Sequence, residues 1–184
     1  MRKVLFILGQ LSDGDVEWLG RAGVRRKVRG GEVLVEQGRP IDALYIVLDG
    51  RLSVSLAGRG EIARRGSGEI IGEMSLIDAR PPAASVTALE DAVVLAIPQA
   101  ALEAKAAEDA AFAARFYRAL ATFLSDRMRG TLLRLGYGDD REPDEQTAQE
   151  EDELDDNVLD NVSLAGARFD RMLKQLLGAS PPPG

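Results

Sequence analysis

The sequence predicts an α+β protein: short antiparallel strands forming a sandwich or barrel, flanking helices with one long helix, and an acidic tail. Three observations carry this. Short β-branched or alternating segments are punctuated by glycines at 30, 31, 38, 50, 58, 60, 66 and 68, and turns every ~8–12 residues mark a sandwich or barrel. No helical crossover lies between these segments to make the sheet parallel. From Pro98 the texture becomes Ala-rich and helical, and from residue 139 it becomes acidic.

Taken in order, Ser12 and Asp13 precede Val16, Trp18 and Leu19, the pattern of a capped short helix that ends near Gly23. Strands are expected at Val33–Val35, Leu44–Leu48, Leu52–Leu56, Glu61–Arg64, Val86–Leu89 and Ala92–Ile97. Pro98 suits a helix start, so Gln99–Ala107 reads as a short helix. A longer helix over about 108–135 opens on Glu108 and Asp109, which favour its dipole. Its apolar positions Phe112, Phe116, Leu120, Phe123, Leu124 and Met128 recur at helical spacing. A stripe of this length either packs entirely within its own domain or continues into a helix pair between two subunits, the reading preferred here.

Residues 138–156 form an acidic linker: over 139–160, 12 acids face the single base Arg141, so this stretch repels itself and gains little by collapsing. Over 157–178, Val158, Val162, Ala165, Phe169, Met172, Leu173, Leu176 and Leu177 return to helical spacing with Arg168, Arg171 and Lys174 toward the end, an amphipathic helix stopped by Gly178. Residues 179–184 are a disordered Pro-rich end.

Composition bounds the chemistry. The 184 residues contain neither Cys nor His, which removes thiol redox chemistry, imidazole or thiolate metal sites, and nucleophile–His pairs. Carboxylates are plentiful but form no convergent acid/base pair, so no catalytic residue and no metal ligand is assigned; Asp152–Asn161 lacks the spacing and central Gly of an EF-hand. Of the net charge of −7, residues from 139 onward carry −9 and the body +2. A near-neutral body lacks the basic stripe of a nucleic-acid binder. The apolar run Val4–Leu8 is too short for a signal-peptide core or a membrane span, and with no Cys the chain reads as cytoplasmic.

The most informative stretch is residues 66–90. Gly66, Gly68 and Gly72 approximate the dinucleotide-binding fingerprint, but the last gap is one residue too long and no strand–helix–strand unit follows. Gly72-Glu73-Met74-Ser75-Leu76 and Pro81-Pro82-Ala83-Ala84-Ser85-Val86 instead resemble the phosphate-binding cassette of the cyclic-nucleotide-binding domain family, the sensory module of catabolite-activator proteins and of cyclic-nucleotide-regulated kinases and channels. Gly31-Glu32, Gln37-Gly38, the Leu44–Gly50 strand and turn, and the long helix extend the resemblance over about residues 10–135. It implies an antiparallel β-roll of jelly-roll type, a sensor domain spanning 1–137, and cAMP or cGMP as ligand, with no other cofactor. It also implies a site drawn from Ile71, Gly72, Glu73, Met74, Ser75, Arg80, Pro82, Ala83, Ala84, Ser85 and Arg127. In that family Gly72 would permit close approach and Glu73 would accept from the ribose 2′-hydroxyl, while an Arg forks onto the phosphate.

Pro82 stands at that Arg position and offers neither charge nor donor; Ala83 lacks the hydroxyl many relatives carry. Losing one charge-assisted contact costs about 1.5–3 kcal/mol. Arg80 either reaches the pocket from a displaced backbone or faces solvent. Glu73 without a cationic partner would repel an anionic ligand. Ser85 and Thr87 either donate hydroxyls or alternate along a strand. Arg127 and Thr131 are the polar long-helix positions favoured to meet the base.

Two functions follow. The first is a non-catalytic regulatory protein sensing cAMP, cGMP or a related nucleotide, dimeric through the long helix. The alternative is a degenerate pocket on an adaptor whose residues 157–177 either dock on a protein partner or fold back. Catabolite-activator relatives place a helix-turn-helix after the long helix; an acidic linker and one helix replace it here, so DNA and membrane partners are not expected.

Overall fold

In the strand Ala43–Asp49 six consecutive residues are buried, and their alternation explains the architecture. Ala43, Tyr45 and Val47 point one way, into a core with Val28, Leu52, Val86 and Val94; Leu44, Ile46 and Leu48 point the other, into a core with Leu11, Leu19, Phe112 and Phe116. A strand buried on both faces is a continuous apolar run. The computed structural model describes residues 9–134, 166–174 and 176.

In chain order the elements are α1 (Asp13–Ala22), β1 (Val24–Val28), β2 (Val33–Val35), β3 (Ala43–Asp49), β4 (Leu52–Leu56), β5 (Gly60–Arg65), β6 (Ile70–Ile71), α2 (Glu73–Asp78), β7 (Ser85–Ala88), β8 (Ala92–Pro98), α3 (Gln99–Glu108) and α4 (Ala110–Arg134). They build two four-stranded sheets, ordered β1-β8-β3-β6 and β2-β7-β4-β5, with every strand pair antiparallel. The first sheet is sandwiched between the second sheet and the helices. This is the expected antiparallel β-roll with flanking helices and a long helix.

Two strands are absent from the sequence expectation. β1 reads Val-Arg-Arg-Lys-Val with four exposed residues, and pairs with β8 at the sheet edge from Val24↔Ala96 to Val28↔Ala92. β6 is two residues long and pairs with Tyr45 and Ile46.

The helical layer is fixed by polar contacts as well as packing. Ser12 caps α1: its Oγ accepts from the Asp15 amide at 3.2 Å, and its own amide donates to Asp15 Oδ2 at 2.8 Å. Asp15 is buried and takes a bidentate contact from Arg115 of α4 at 2.7 and 3.0 Å. Desolvation pushes this carboxyl up, but Arg115 and the two Ser12 contacts together hold it below its ordinary value of 3.8. Asp109 caps α4, accepting from the Phe112 amide at 2.9 Å. Phe112 and Phe116 then stack at 5.3 Å, with Trp18 edge-on to Phe112.

Phe112, Phe116, Leu120 and Phe123 are thus buried within the chain itself, while Met128, farther along the same helix, is 61% exposed. Helical residues 166–174 return onto this layer. Phe169 and Met172 are buried among Leu19 and Phe116, Arg168 donates to Asp13 at 2.5 Å, and Arg25 donates to the Leu176 carbonyl at 2.8 Å. The segment therefore folds back on its own domain. The linker at 138–156, residues 157–165 of the expected helix, the 179–184 end and residues 1–8 lie outside the described residues. Among the described residues no helix is long and apolar enough to cross a membrane.

Candidate functional site

Between β6 and β7 the chain makes a corner that meets residues of both sheets and of the long helix. β6 ends at Ile71, and Gly72 turns the backbone left-handed at φ +92° to start α2. A Cβ at Gly72 would lie 2.8 Å from Ile41 Cδ1 and 3.0 Å from the Ala43 carbonyl oxygen, so both conformation and space call for glycine. α2 ends at Ala79, itself left-handed at φ +54°, whose amide donates to the Ser75 carbonyl at 3.1 Å. The loop then returns through Pro82, whose carbonyl accepts from the Gly38 amide at 2.9 Å, into β7.

Glu73, the first residue of α2, is only 3% exposed, and a carboxylate so buried needs a partner. It has one: Arg127 Nη1, from α4, donates to Glu73 Oε1. Arg127 also lies over the Phe123 ring, 4.5 Å from its centroid, and its Nε is buried without a hydrogen-bond partner. The expectation of Glu73 without a cation is corrected here. Its partner comes from 54 residues away, on the long helix.

A cleft of about 120 Å³ opens beside this pair, lined by Ile71, Gly72, Glu73, Met74 and Ser75 on one side and Pro82, Ala83 and Ala84 on another, with Arg127 on the α4 side. The structure thus brings together nine of the eleven residues singled out from the sequence. Arg80 and Ser85 do not join them. The Arg80 side chain is 83% exposed and lies 4.0 Å from Asp78, facing solvent. Ser85 turns its Oγ to accept from the Gln37 amide at 3.0 Å, and its neighbours Val86 and Ala88 take the buried positions of β7. Thr131, the other long-helix candidate, is exposed and donates to the Arg127 carbonyl at 2.9 Å.

Sequence reasoning missed the apolar lining, Val35, Val54, Ile70 and Val86, and one charged residue, Arg65. Arg65 ends β5 opposite Leu52, which is fully buried in the inter-sheet core, so strand alternation turns Arg65 inward and Arg64 outward. The side chains are 15% and 64% exposed respectively. The signal was the period of two: the expected strand Glu61–Arg64 stops one residue short of Arg65, the next position at which the chain turns inward.

Comparison with known proteins agrees with this geometry. Residues 25–109 match the family model described as the cyclic nucleotide-binding domain. A stretch of 89 residues, 48% of this chain, is 37% identical to an uncharacterized NTE family protein of Mycobacterium bovis. Another of 81 residues, 42% of this chain, is 36% identical to a cAMP-dependent protein kinase type II regulatory subunit of Drosophila melanogaster. The matches span only 15% and 22% of those relatives' lengths. Among solved structures, a cyclic nucleotide-binding domain from Methylobacillus flagellatus superposes with a TM-score of 0.66 at 26% identity, covering 77% of this chain and 85% of that one.

Proposed function

We propose that this chain, whose residues 25–109 match the cyclic nucleotide-binding domain model, is a non-catalytic regulatory protein that senses cAMP, cGMP or a related nucleotide through an atypical cassette. The observation that carries the reading is the convergence of the Gly72–Ser75 corner, the Pro82–Ala84 return and Arg127 of the long helix on one cleft. Glu73 is the group to accept the ribose 2′-hydroxyl, and Gly72 lets the ligand approach the backbone.

The pair Glu73–Arg127 ties that cleft to α4. Arg127 donates to Oε1 of Glu73, and a carboxylate accepts at both oxygens, so a ribose hydroxyl would join the same group; a ligand that binds one arrangement of α4 better than another shifts the balance between them. The cleft, at about 120 Å³, is well short of the ~300–1,000 Å³ of ligand pockets, so this reading requires it to widen as a nucleotide enters. Exposed Met128 lies farther along the helix and supports a homodimer through it, the surface where the movement would be read. We place the protein in the cytoplasm.

The test is equilibrium binding of cAMP and cGMP to the full chain. Saturable binding that Glu73→Ala abolishes supports the reading, and binding untouched by Glu73→Ala removes the cassette from it.

The adaptor alternative draws on one observation: Pro82 lines the cleft at the position where the family resemblance implies an Arg. On that reading the domain is a scaffold and residues 157–177 recruit a protein partner. The burial of Phe169 and Met172 then requires the segment to undock first. Deleting residues 139–184 would lose the partner and leave nucleotide titrations unchanged.

A further inference from the structure

We infer that residues 166–176 are a brake built into the chain: docked on α1, they hold α4 in the arrangement that keeps the cleft narrow, so their docking and nucleotide entry oppose one another. The inference rests on the nucleotide reading above and names the regulation of that same site.

The docked segment runs alongside α1 in the same direction. At its start Arg168 and Arg171 reach Asp13 at 2.5 and 3.5 Å, and Arg168 also donates to the Gly9 carbonyl at 3.4 Å. Farther on, Met172 lies beside Gly20, where a Cβ would sit 3.9 Å from Met172 Cγ. At its end the Leu176 carbonyl accepts from Arg25 of β1 at 2.8 Å. The inner face is apolar. Phe169 and Met172 are buried in the core cluster that holds Phe116, Leu120 and Phe123 of α4, and Leu173 and Leu176 pack against it.

That cluster leads to the cleft. The Arg127 guanidinium lies over the Phe123 ring, and Arg127 donates to Glu73 in the cleft wall. A second tie, Asp15 to Arg115, joins α1 to α4. The docked segment, α1 and the buried face of α4 therefore make one packed layer, and such layers repack between discrete arrangements instead of deforming continuously. Arg127 forms one wall of a cleft that must widen for a nucleotide. Widening on that side moves α4 and disturbs the layer that Phe169 and Met172 complete. Each process then costs the other free energy, a coupling between two sites that is reciprocal.

The attachment is weak enough to open without unfolding the domain. Among its described residues only Phe169 and Met172 are buried, and Asp13, which both arginines share, has a side chain 52% exposed. Ion pairs at such a rim contribute little and are screened by salt, and segments held in this way open locally.

The test compares cAMP and cGMP binding by the full natural chain with binding by a full-length variant carrying Phe169→Ala and Met172→Ala. Faster amide exchange over residues 166–174 shows that the variant has undocked, and circular dichroism shows that the domain stays folded. The undocked variant is expected to bind nucleotide about 5- to 150-fold more tightly, the usual range of coupling between sites. Saturating nucleotide should in turn speed exchange over 166–174 in the natural chain. Asp13→Asn, which loosens the rim contacts, should give a smaller shift of the same sign, and serves if the double variant fails to fold. Unchanged or weaker binding by an undocked, folded variant overturns the brake and leaves the nucleotide reading intact. Binding by neither the natural chain nor the undocked variant overturns both.

Discussion

Replacing Glu73 by Gln removes one charge while keeping the shape of the side chain, and so isolates the ion pair joining the cassette to the long helix. Breaking a fully buried pair from one side costs about 3–5 kcal/mol, because the other charge is left without a partner. Here the Glu73 side chain is 4% exposed but that of Arg127 is 21% exposed. Water can therefore solvate a stranded guanidinium better than a stranded carboxylate. Glu73→Gln is expected to cost about 2–3 kcal/mol, and Arg127→Met, which strands Glu73, about 3–5 kcal/mol. The double variant leaves neither charge stranded, so its cost should fall short of the sum by about 1–3 kcal/mol. Urea unfolding of the full chain at neutral pH, followed by circular dichroism, gives the four stabilities of the cycle. Single costs that add to within about 0.5 kcal/mol would refute the pair as a structural link.

Three further outcomes follow from the fold. Asp15→Asn should cost about 1–3 kcal/mol at neutral pH by weakening the Arg115 contact. The Asp15 carboxyl titrates below its ordinary value in the folded state, so its stabilisation is complete above that value and is lost as pH falls through the folded one. The natural chain should therefore lose stability below about pH 4 more steeply than Asp15→Asn, and equal acid slopes would contradict this. Gly50→Ala places a Cβ 2.7 Å from Ala92 Cβ and 2.8 Å from its Cα at a φ of +87°, for an expected cost of about 2–4 kcal/mol in thermal or urea unfolding; a neutral result would contradict the tight β3–β4 turn. Met172→Ala should weaken docking of residues 166–174 by about 2–4 kcal/mol, read as faster amide exchange there and in α1; unchanged exchange would contradict the packing.

Much of the fold was legible because it is written locally. Ser12 announces the capping of α1, the glycines mark the turns, and Pro98 marks the start of α3. β1 was illegible because Arg25, Arg26 and Lys27 look like solvent-exposed loop; it is a strand because β8 offers it an edge, not through its own composition. β6 is too short to show any period. The cassette was legible as a motif, and its residues do gather at one cleft. What pairs across it was not. The Glu73–Arg127 contact depends on how α4 returns past the sheets, and the inward aim of Arg65 depends on its register opposite Leu52. Arg80 is the converse case: near the cassette in sequence, it turns to solvent because the left-handed Ala79 ends α2 just before it.

The central claim is that the cleft beside Glu73 takes a cyclic nucleotide. Isothermal titration of the full chain with cAMP and cGMP, alongside Pro82→Arg, tests it most directly. The account predicts saturable heat from the natural chain with at least one of the two nucleotides, and tighter binding by Pro82→Arg. No heat from the natural chain, with binding appearing only when Pro82 becomes Arg, would contradict it and leave the domain as a scaffold.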